Sequence, residues 1–436
     1  MLGIAGLVLA VIAIVALIWL GWHMVVVSLV ASLIVILANG MDVLSAINES
    51  YMGDMAAFVG SWFLLFALGS VFGRVMGDSG ASAGIASSML RLVGEKHALL
   101  VIMVTGLVLS YGGISAFIIA FSVYPIAAEL FERADIPKKL VVAAIMVCPA
   151  TLGMVMMPGI PSTQNLIPAS FLGTDAYAGA LLGVICSVVM FALSYAYLQW
   201  EIGRCRRRGE HFSPSPGEAL ARPDDADTPP VWACFAPIAL LVVLVFVLQR
   251  AAGMQATDAV TVSMLASVIA ACLLYRGRLA NVKRVIGESC TSGLSSLVSV
   301  AAIMGFGGVV VASPAYQGII EALMSTSLNP LWQGFITIFA IAGITGSAIG
   351  ALNIYLGSMA QTLLATGLDP AMMHRVLCMA SVGPATLLPH TSAMLAANQA
   401  AKTEVRDTYR YVLVSCALLP IAVSLLGMAL GLAGVA

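Results

Sequence analysis

Long runs without a single Asp, Glu, Lys or Arg divide the chain: residues 1–41, 98–128, 140–174, 289–320 and 322–368. Each exceeds the roughly 20 apolar residues that carry a helix across a bilayer, and some are long enough for two passes. A transmembrane barrel would instead show short segments of alternating polarity. The pattern predicts helical spans over 2–20, 23–40, 55–75, 98–131, 140–168, 177–198, 232–250, 258–275, 293–312, 331–367, 372–401 and 411–433. Segments 98–131 and 331–367 are either double passes or re-entrant hairpins. The opening stretch, MLGIAGLVLAVIAIVALIWLGWH, lacks a basic start and a small-residue cleavage site, so it reads as a retained span.

Composition agrees. Of 436 residues, 61% are hydrophobic and 9% charged, where soluble domains carry about 25% charge. The net charge of −1 speaks against nucleic acid as a partner. The eight cysteines show no CxxC and no regular spacing with His, so they read as small buried hydrophobes, and no metal or cofactor is expected.

One polar, proline-rich stretch, EIGRCRRRGEHFSPSPGEALARPDDADTPP (201–230), splits the chain. Its Arg204, Arg206, Arg207 and Arg208 abut the preceding span and place this linker in the cytoplasm. The other basic clusters fall on the same side if the N-terminus is periplasmic. The expected units are 1–200, the cytoplasmic linker 201–230, and 231–436.

The two units resemble one another. Pro-Ala-Thr occurs at 149–151 and again at 384–386; Asp135 and Asp369, and Gly73 and Gly308, recur at nearly the same offset. Asp135 lies beside Lys138 and Lys139 and is cytoplasmic, whereas Asp369 counts as external, so the halves run in opposite directions. The predicted fold is an all-α polytopic membrane protein of eleven or twelve hydrophobic segments. It has two inverted-topology repeats, each with a re-entrant hairpin (about 98–131 and 331–367) and a broken helix (about 140–168 and 372–401). Inverted repeats with interrupted helices are the sequence signature of a secondary transporter, and the breaks mark its substrate site.

Proline frees a carbonyl and interrupts the helix. Irregular backbone survives at membrane depth only when buried or facing a wet cavity, and the N-terminus of a half-helix attracts anions. Substrate contacts are therefore expected from Ser162, Thr163, Gln164 and Asn165 in the first half and from Thr386, His390, Thr391 and Ser392 in the second. Hydroxyls and amides of this kind donate to a carboxylate and accept from a hydroxyacid. Thr151 of the first Pro-Ala-Thr and Gly159 of the first break join them. The glycine-rich SYGGISAF (110–117) and GITGSAIGALN (343–353) read as hairpin tips where backbone approaches a ligand. They add Tyr111, Gly112, Gly113, Ser115, Ser347 and Asn353. His390 is the ionisable residue read as lying well inside a span and is the candidate for proton coupling. No deep carboxylate and no buried arginine are expected, which favours a monocarboxylate over a tricarboxylate.

The stretches YGGISAFIIAFSVYPIAAELFERADIPKKL and MPGIPSTQNLIPASFLGTDAYAG, with MGFGGVVVASPAYQGI and PHTSAML in the second half, resemble the gluconate permease family of the ion transporter superfamily. The resemblance covers most of the chain. It implies inward symport of small hydroxy or sugar acids with protons across the bacterial inner membrane, by a scaffold part and a moving part in a homodimer with elevator-like motion. Carried over, the matching positions are Pro158, Gly159, Pro161 and Thr163 in the first break and Pro389, His390, Thr391 and Ser392 in the second. Gluconate-type members often carry Asn-Asp after the second-half His, where this chain reads PHTSAMLAANQ. The alternative is a sodium-coupled dicarboxylate carrier of the same superfamily. A channel, or an intramembrane hydrolase using Ser162 or Ser392 with His390, is more remote, since HExxH and GxSxG are lacking.

Overall fold

The computed structural model describes residues 2–111, 116–160, 162–215, 228–254, 256–279, 281–326 and 328–435. Among them there is no strand, and the main helices form two series of nine. The first is α1 (Leu2–Trp19), α2 (Met24–Ala38), α3 (Val43–Asp78), α4 (Ala81–Val93), α5 (Ala98–Tyr111), α6 (Ala116–Arg133), α7 (Lys138–Met156), α8 (Thr163–Leu172) and α9 (Ala180–Arg207). The second is α10 (Val231–Arg250), α11 (Ala256–Leu274), α12 (Val282–Ala312), α13 (Pro314–Met324), α14 (Pro330–Thr345), α15 (Ala348–Ala365), α16 (Pro370–Ala385), α17 (Ser392–Ala401) and α18 (Val405–Leu432).

Each helix has its counterpart nine places on, and the packing repeats accordingly. Helix α1 lies on α2 as α10 lies on α11; α2 meets α12 as α11 meets α3; α6 meets α17 as α15 meets α8. The direction of the repeats can be read from close approaches. A Cβ on Gly293 would lie 2.6 Å from Phe66 O, and one on Gly308 would lie 2.5 Å from Ser50 O. As α12 advances, its neighbour α3 retreats, so these two counterparts are antiparallel. Helices α9 and α18 behave alike: Leu182 is near Gly431 and Cys186 near Gly427. The repeats are therefore inverted, and small residues let their backbones close on one another.

Eight of the described helices are long and apolar enough to cross a membrane. Helix α1 turns Val8 and Ile12 outward and α10 turns Val243 and Phe246 outward, as lipid-facing helices do, whereas α7 is enclosed by the others. The first hairpin arms are too short to cross. At 1.5 Å per residue, the 14 residues of α5 and the 16 of α14 rise about 21 and 24 Å, short of the roughly 30 Å hydrocarbon layer. Each packs against the helix that follows it in the chain, α5 on α6 and α14 on α15.

The α3–α12 contact yields a prediction. Gly293→Val forces a branched side chain against the Phe66 carbonyl and should destabilise the purified protein by about 1–3 kcal/mol, read as a lower midpoint of thermal unfolding. Gly53→Ala, where a Cβ meets nothing within 4 Å, should leave the midpoint unchanged or raise it. Equal midpoints for wild type and Gly293→Val would contradict the close antiparallel contact.

Candidate functional site

Both interrupted helices carry Pro-Ala-Thr and resolve it differently. Helix α7 passes Pro149 through a π-helical stretch, Cys148–Met156, whose wider turn tolerates the missing N–H. It ends where Met157 turns extended (ψ 131°), as a residue before proline prefers. Helix α16 stops at Ala385, and the Thr386 hydroxyl donates to the Cys416 carbonyl of α18. The following proline sets the register: Pro158 stands nine residues after Pro149, Pro389 only five after Pro384.

Each hairpin abuts its own Pro-Ala-Thr helix. A Cβ on Gly106 would lie 3.1 Å from Pro149 Cδ, and one on Gly153 would overlap Ser110 Oγ at 2.0 Å. In the second half Gly346 is left-handed (φ 66°), and a Cβ there would lie 3.3 Å from His390 Nε2. The second tip and the second break thus meet.

The second break keeps main-chain donors without acceptors. No side chain caps α17; the Thr391 hydroxyl instead donates to Ala385 O (2.7 Å) and Leu388 O (3.0 Å) and so holds the turn shut. The first main-chain bond of α17 runs from Leu395 N–H to Thr391 O. This leaves the N–H groups of Ser392, Ala393 and Met394 without an acceptor among the described residues. At the facing tip Ser347 Oγ accepts from Gly350 N–H (3.1 Å) and caps α15, leaving the N–H groups of Ala348 and Ile349. His390 sits between the two ends, 1% exposed and edge-on to Phe306 (centroids 6.1 Å apart); the Ile344 carbonyl is a polar neighbour, and neither ring nitrogen makes a well-aligned hydrogen bond among the described residues. Two positive helix ends beside a buried imidazole suit a small anion.

The first break is closed. Arg375 of α16, wholly buried, spends all five N–H groups on it. Nε donates to Ala178 O (3.0 Å), Nη1 to Val155 O (2.8 Å) and Asn165 Oδ1 (3.1 Å), and Nη2 to Ala176 O (3.2 Å) and Ala178 O (2.7 Å). Asn165 Nδ2 donates to Ile160 O (2.9 Å) and Ala176 O (3.0 Å). Because Asn165 Oδ1 only accepts, His374 Nε2 (2.9 Å away) carries a proton, and Nδ1 is hydrogen-bonded to the Thr174 hydroxyl at 2.7 Å.

The sequence candidates therefore separate. His390, Thr391, Ser392, Thr386 and Ser347 come together. Ser162 caps α8 by accepting from Asn165 N–H and donates to Met154 O; Gln164 Nε2 reaches Met154 Sδ; Asn165 is held in the Arg375 network; Thr163 is exposed. Gln164 O meets Cys378 Sγ and Asn165 meets Arg375, eight and eleven residues before Thr386 and so about 12 and 16 Å of helical rise away, and no described hydrogen bond joins the 162–165 cluster to the second break. Gly159 donates to Ala176 O and has Tyr177 where a Cβ would be, so it has no free face. Thr151 donates back to Val147 O, Asn353 Nδ2 to Ile349 O on an exposed face, and Tyr111 is exposed at the end of α5. Gly112, Gly113, Ser115 and Pro161 lie outside the described residues.

Two expectations are corrected. An arginine is buried, with His374 beside it, and His390 is not the only ionisable residue deep in the fold. Carboxylates are buried too: Glu129 in α6 (4% exposed) and Glu201 in α9 (2%), the latter 2.9 Å from Arg410. The signal was present as His374-Arg375 in an otherwise apolar segment, where a cation points to a partnered, structured role.

Comparison with known proteins supplies the rest. The model for the GntP family permease matches residues 2–394. The chain is 31% identical to the uncharacterised transporter YxjC of Bacillus subtilis over 86% of this chain and 87% of that one. It is 24% identical to the high-affinity gluconate transporter of Escherichia coli, over 84% and 81% respectively. The L-idonate transporter of the Gnt-II system of Escherichia coli is 23% identical, over 77% and 78%. Among solved structures, the YdaH transporter of Alcanivorax borkumensis aligns over 90% of each chain at 15% identity and a TM-score of 0.44.

The turn at the second break can be tested without a ligand. Thr391→Val removes a buried hydroxyl from two carbonyls and should cost about 1–3 kcal/mol of stability, seen in thermal unfolding, while Thr391→Ser keeps the bonds and restores most of it. Thr163→Val, at an exposed position, should change stability by no more than about 0.5 kcal/mol. Equal loss in Thr391→Val and Thr163→Val would refute this geometry.

Proposed function

The chain belongs to the GntP permease family, and on that footing we propose that it imports a small hydroxy or sugar monocarboxylate by proton symport. It is a multi-pass membrane transporter and not an enzyme. The observation that carries the substrate reading is the uncapped N-terminus of α17 beside the buried His390, faced by the tip of the second hairpin. Its positive end charge suits one carboxylate, and Ser347, Ser392 and the imidazole supply neutral partners for hydroxyl groups. His390, able to change charge near neutral pH in water, is the proposed carrier of the coupling proton. Its relatives are a gluconate and an idonate transporter, and sugar acids of this kind are the substrates to try first.

Alternating access is supported by a break in the symmetry. Helices α6 and α17 pack on α3, α4 and α12, whereas their counterparts α15 and α8 make no comparable contact with α12, α13 and α3. The docked side is built for close approach: Gly73 admits Phe121, and Phe58, Trp62 and Phe66 of α3 interleave with Phe117 and Phe121 of α6. We take this as one of two states, related by exchanging which pair is docked, with the hairpins and broken helices moving as a body against the frame of α1–α4 and α10–α13. The proposed units are 1–200 and 231–436, joined by the cytoplasmic linker 201–230. The N-terminus is periplasmic, in a homodimer in the bacterial inner membrane.

A thermal-shift screen of small carboxylates on purified protein should find a stabilising monocarboxylate, since a ligand stabilises with occupancy. His390→Leu should weaken its binding roughly 10- to 150-fold, as loss of a bond to a charged group does. In vesicles, uptake should follow a pH gradient and not a sodium gradient, and His390→Asn should flatten its pH dependence. Sodium-driven uptake would return the reading to a sodium-coupled carrier, and unchanged binding by His390→Leu would remove this break from the site.

A further inference from the structure

The oxygens around Arg375 form a cation cage. Three main-chain carbonyls, those of Val155, Ala176 and Ala178, and the amide oxygen of Asn165 converge on one guanidinium from the end of α7, the start of α8 and the turn before α9. No carboxylate among the described residues pairs with it. The walls are shaped to the arginine: Gly179 is left-handed (φ 60°), a Cβ there would lie 2.6 Å from Arg375 Cβ, and one on Gly183 would lie 3.3 Å from Arg375 Nε. Carbonyls freed by an interrupted membrane helix are what transporters use to hold a free cation. Left empty in a medium of low dielectric, such a cluster carries a heavy penalty.

We propose that Arg375 is a resident cation that fills this cage in place of a free one, so that the first break needs no sodium and keeps a fixed positive charge. The guanidinium matches the cage where an alkali ion would not be required, because its planar fork meets several oxygens at once. Arg375 is a positioning residue. It ties α7, α8 and α9 of one half to α16 of the other, and α16 leads directly to the anion site at its far end. The cage rests on geometry alone; its consequence for anion binding rests on the transport reading above.

The direct test is Arg375→Ala, purified and unfolded thermally in millimolar guanidinium, with tetramethylammonium as a cation too large and without N–H groups. The variant should unfold at a lower temperature than wild type, and guanidinium should restore most of the difference with saturation while tetramethylammonium does not. Equal effects of the two cations, or no recovery with either, would overturn the cage. Wild type gives a second measurement that does not depend on the variant's folding. Its unfolding temperature, and the shift produced by gluconate as probe, should be the same in sodium and choline chloride. A sodium-specific rise in either would show that a free cation is still required and would overturn the proposal. Absence of any gluconate shift in both salts would count against gluconate as substrate; the cage would stand or fall on the unfolding temperatures in the two salts and on guanidinium recovery.

Discussion

Within a hydrocarbon layer a peptide group without a partner costs several kcal/mol, and this constraint organises the molecule. Each half interrupts a helix at Pro-Ala-Thr, and every freed group must then be satisfied or left for something to bind. The first half satisfies most of them. Arg375, Asn165 and Ser162 tie up the end of α7 and the start of α8, leaving the N–H groups of Thr163 and Gln164 without an acceptor among the described residues. The second half satisfies fewer: α17 begins uncapped, with the N–H groups of Ser392, Ala393 and Met394 free among the described residues and His390 beside them.

The inverted symmetry is therefore one of architecture and not of chemistry. Helices pair across the halves in matching ways, yet the two breaks have divergent roles. One is a weld that binds the halves together; the other is the proposed receptor. The division follows from a few residues. Pro389 comes early after Pro384 and cuts α16 short beside the hairpin tip, whereas Pro158 comes late and lets α7 run past its tip to the level of Arg375. A second asymmetry lies in packing, where α6 and α17 are seated on the frame and α15 and α8 are not.

Much of this was legible in the sequence. Charge-free runs gave the helices, the repeated Pro-Ala-Thr and the opposed turns at Asp135 and Asp369 gave the inversion, and the polar cluster at 390–392 within an apolar run marked the second break. The shortness of α5 and α14 relative to the bilayer was not visible in the residue patterns. Ser162 to Asn165 looked equally suited to a substrate, because a sequence shows which donors and acceptors a segment owns and not which are already spent. Their partners lie more than two hundred positions away in α16 or locally in the bent backbone. Arg375 was missed for the same reason. One cation a few residues after Asp369-Pro370 resembles a helix end at the membrane surface, and only the fold shows it enclosed.

The central claim is that a single anion is held at the second break and not at the first. Crystals of the purified protein soaked with a brominated monocarboxylate such as 3-bromopropionate, measured at the bromine edge, test it most directly. The account predicts one anomalous peak per chain, beside Ser392, His390 and Gly346. A peak among residues 157–165, or two peaks related by the internal symmetry, would contradict it.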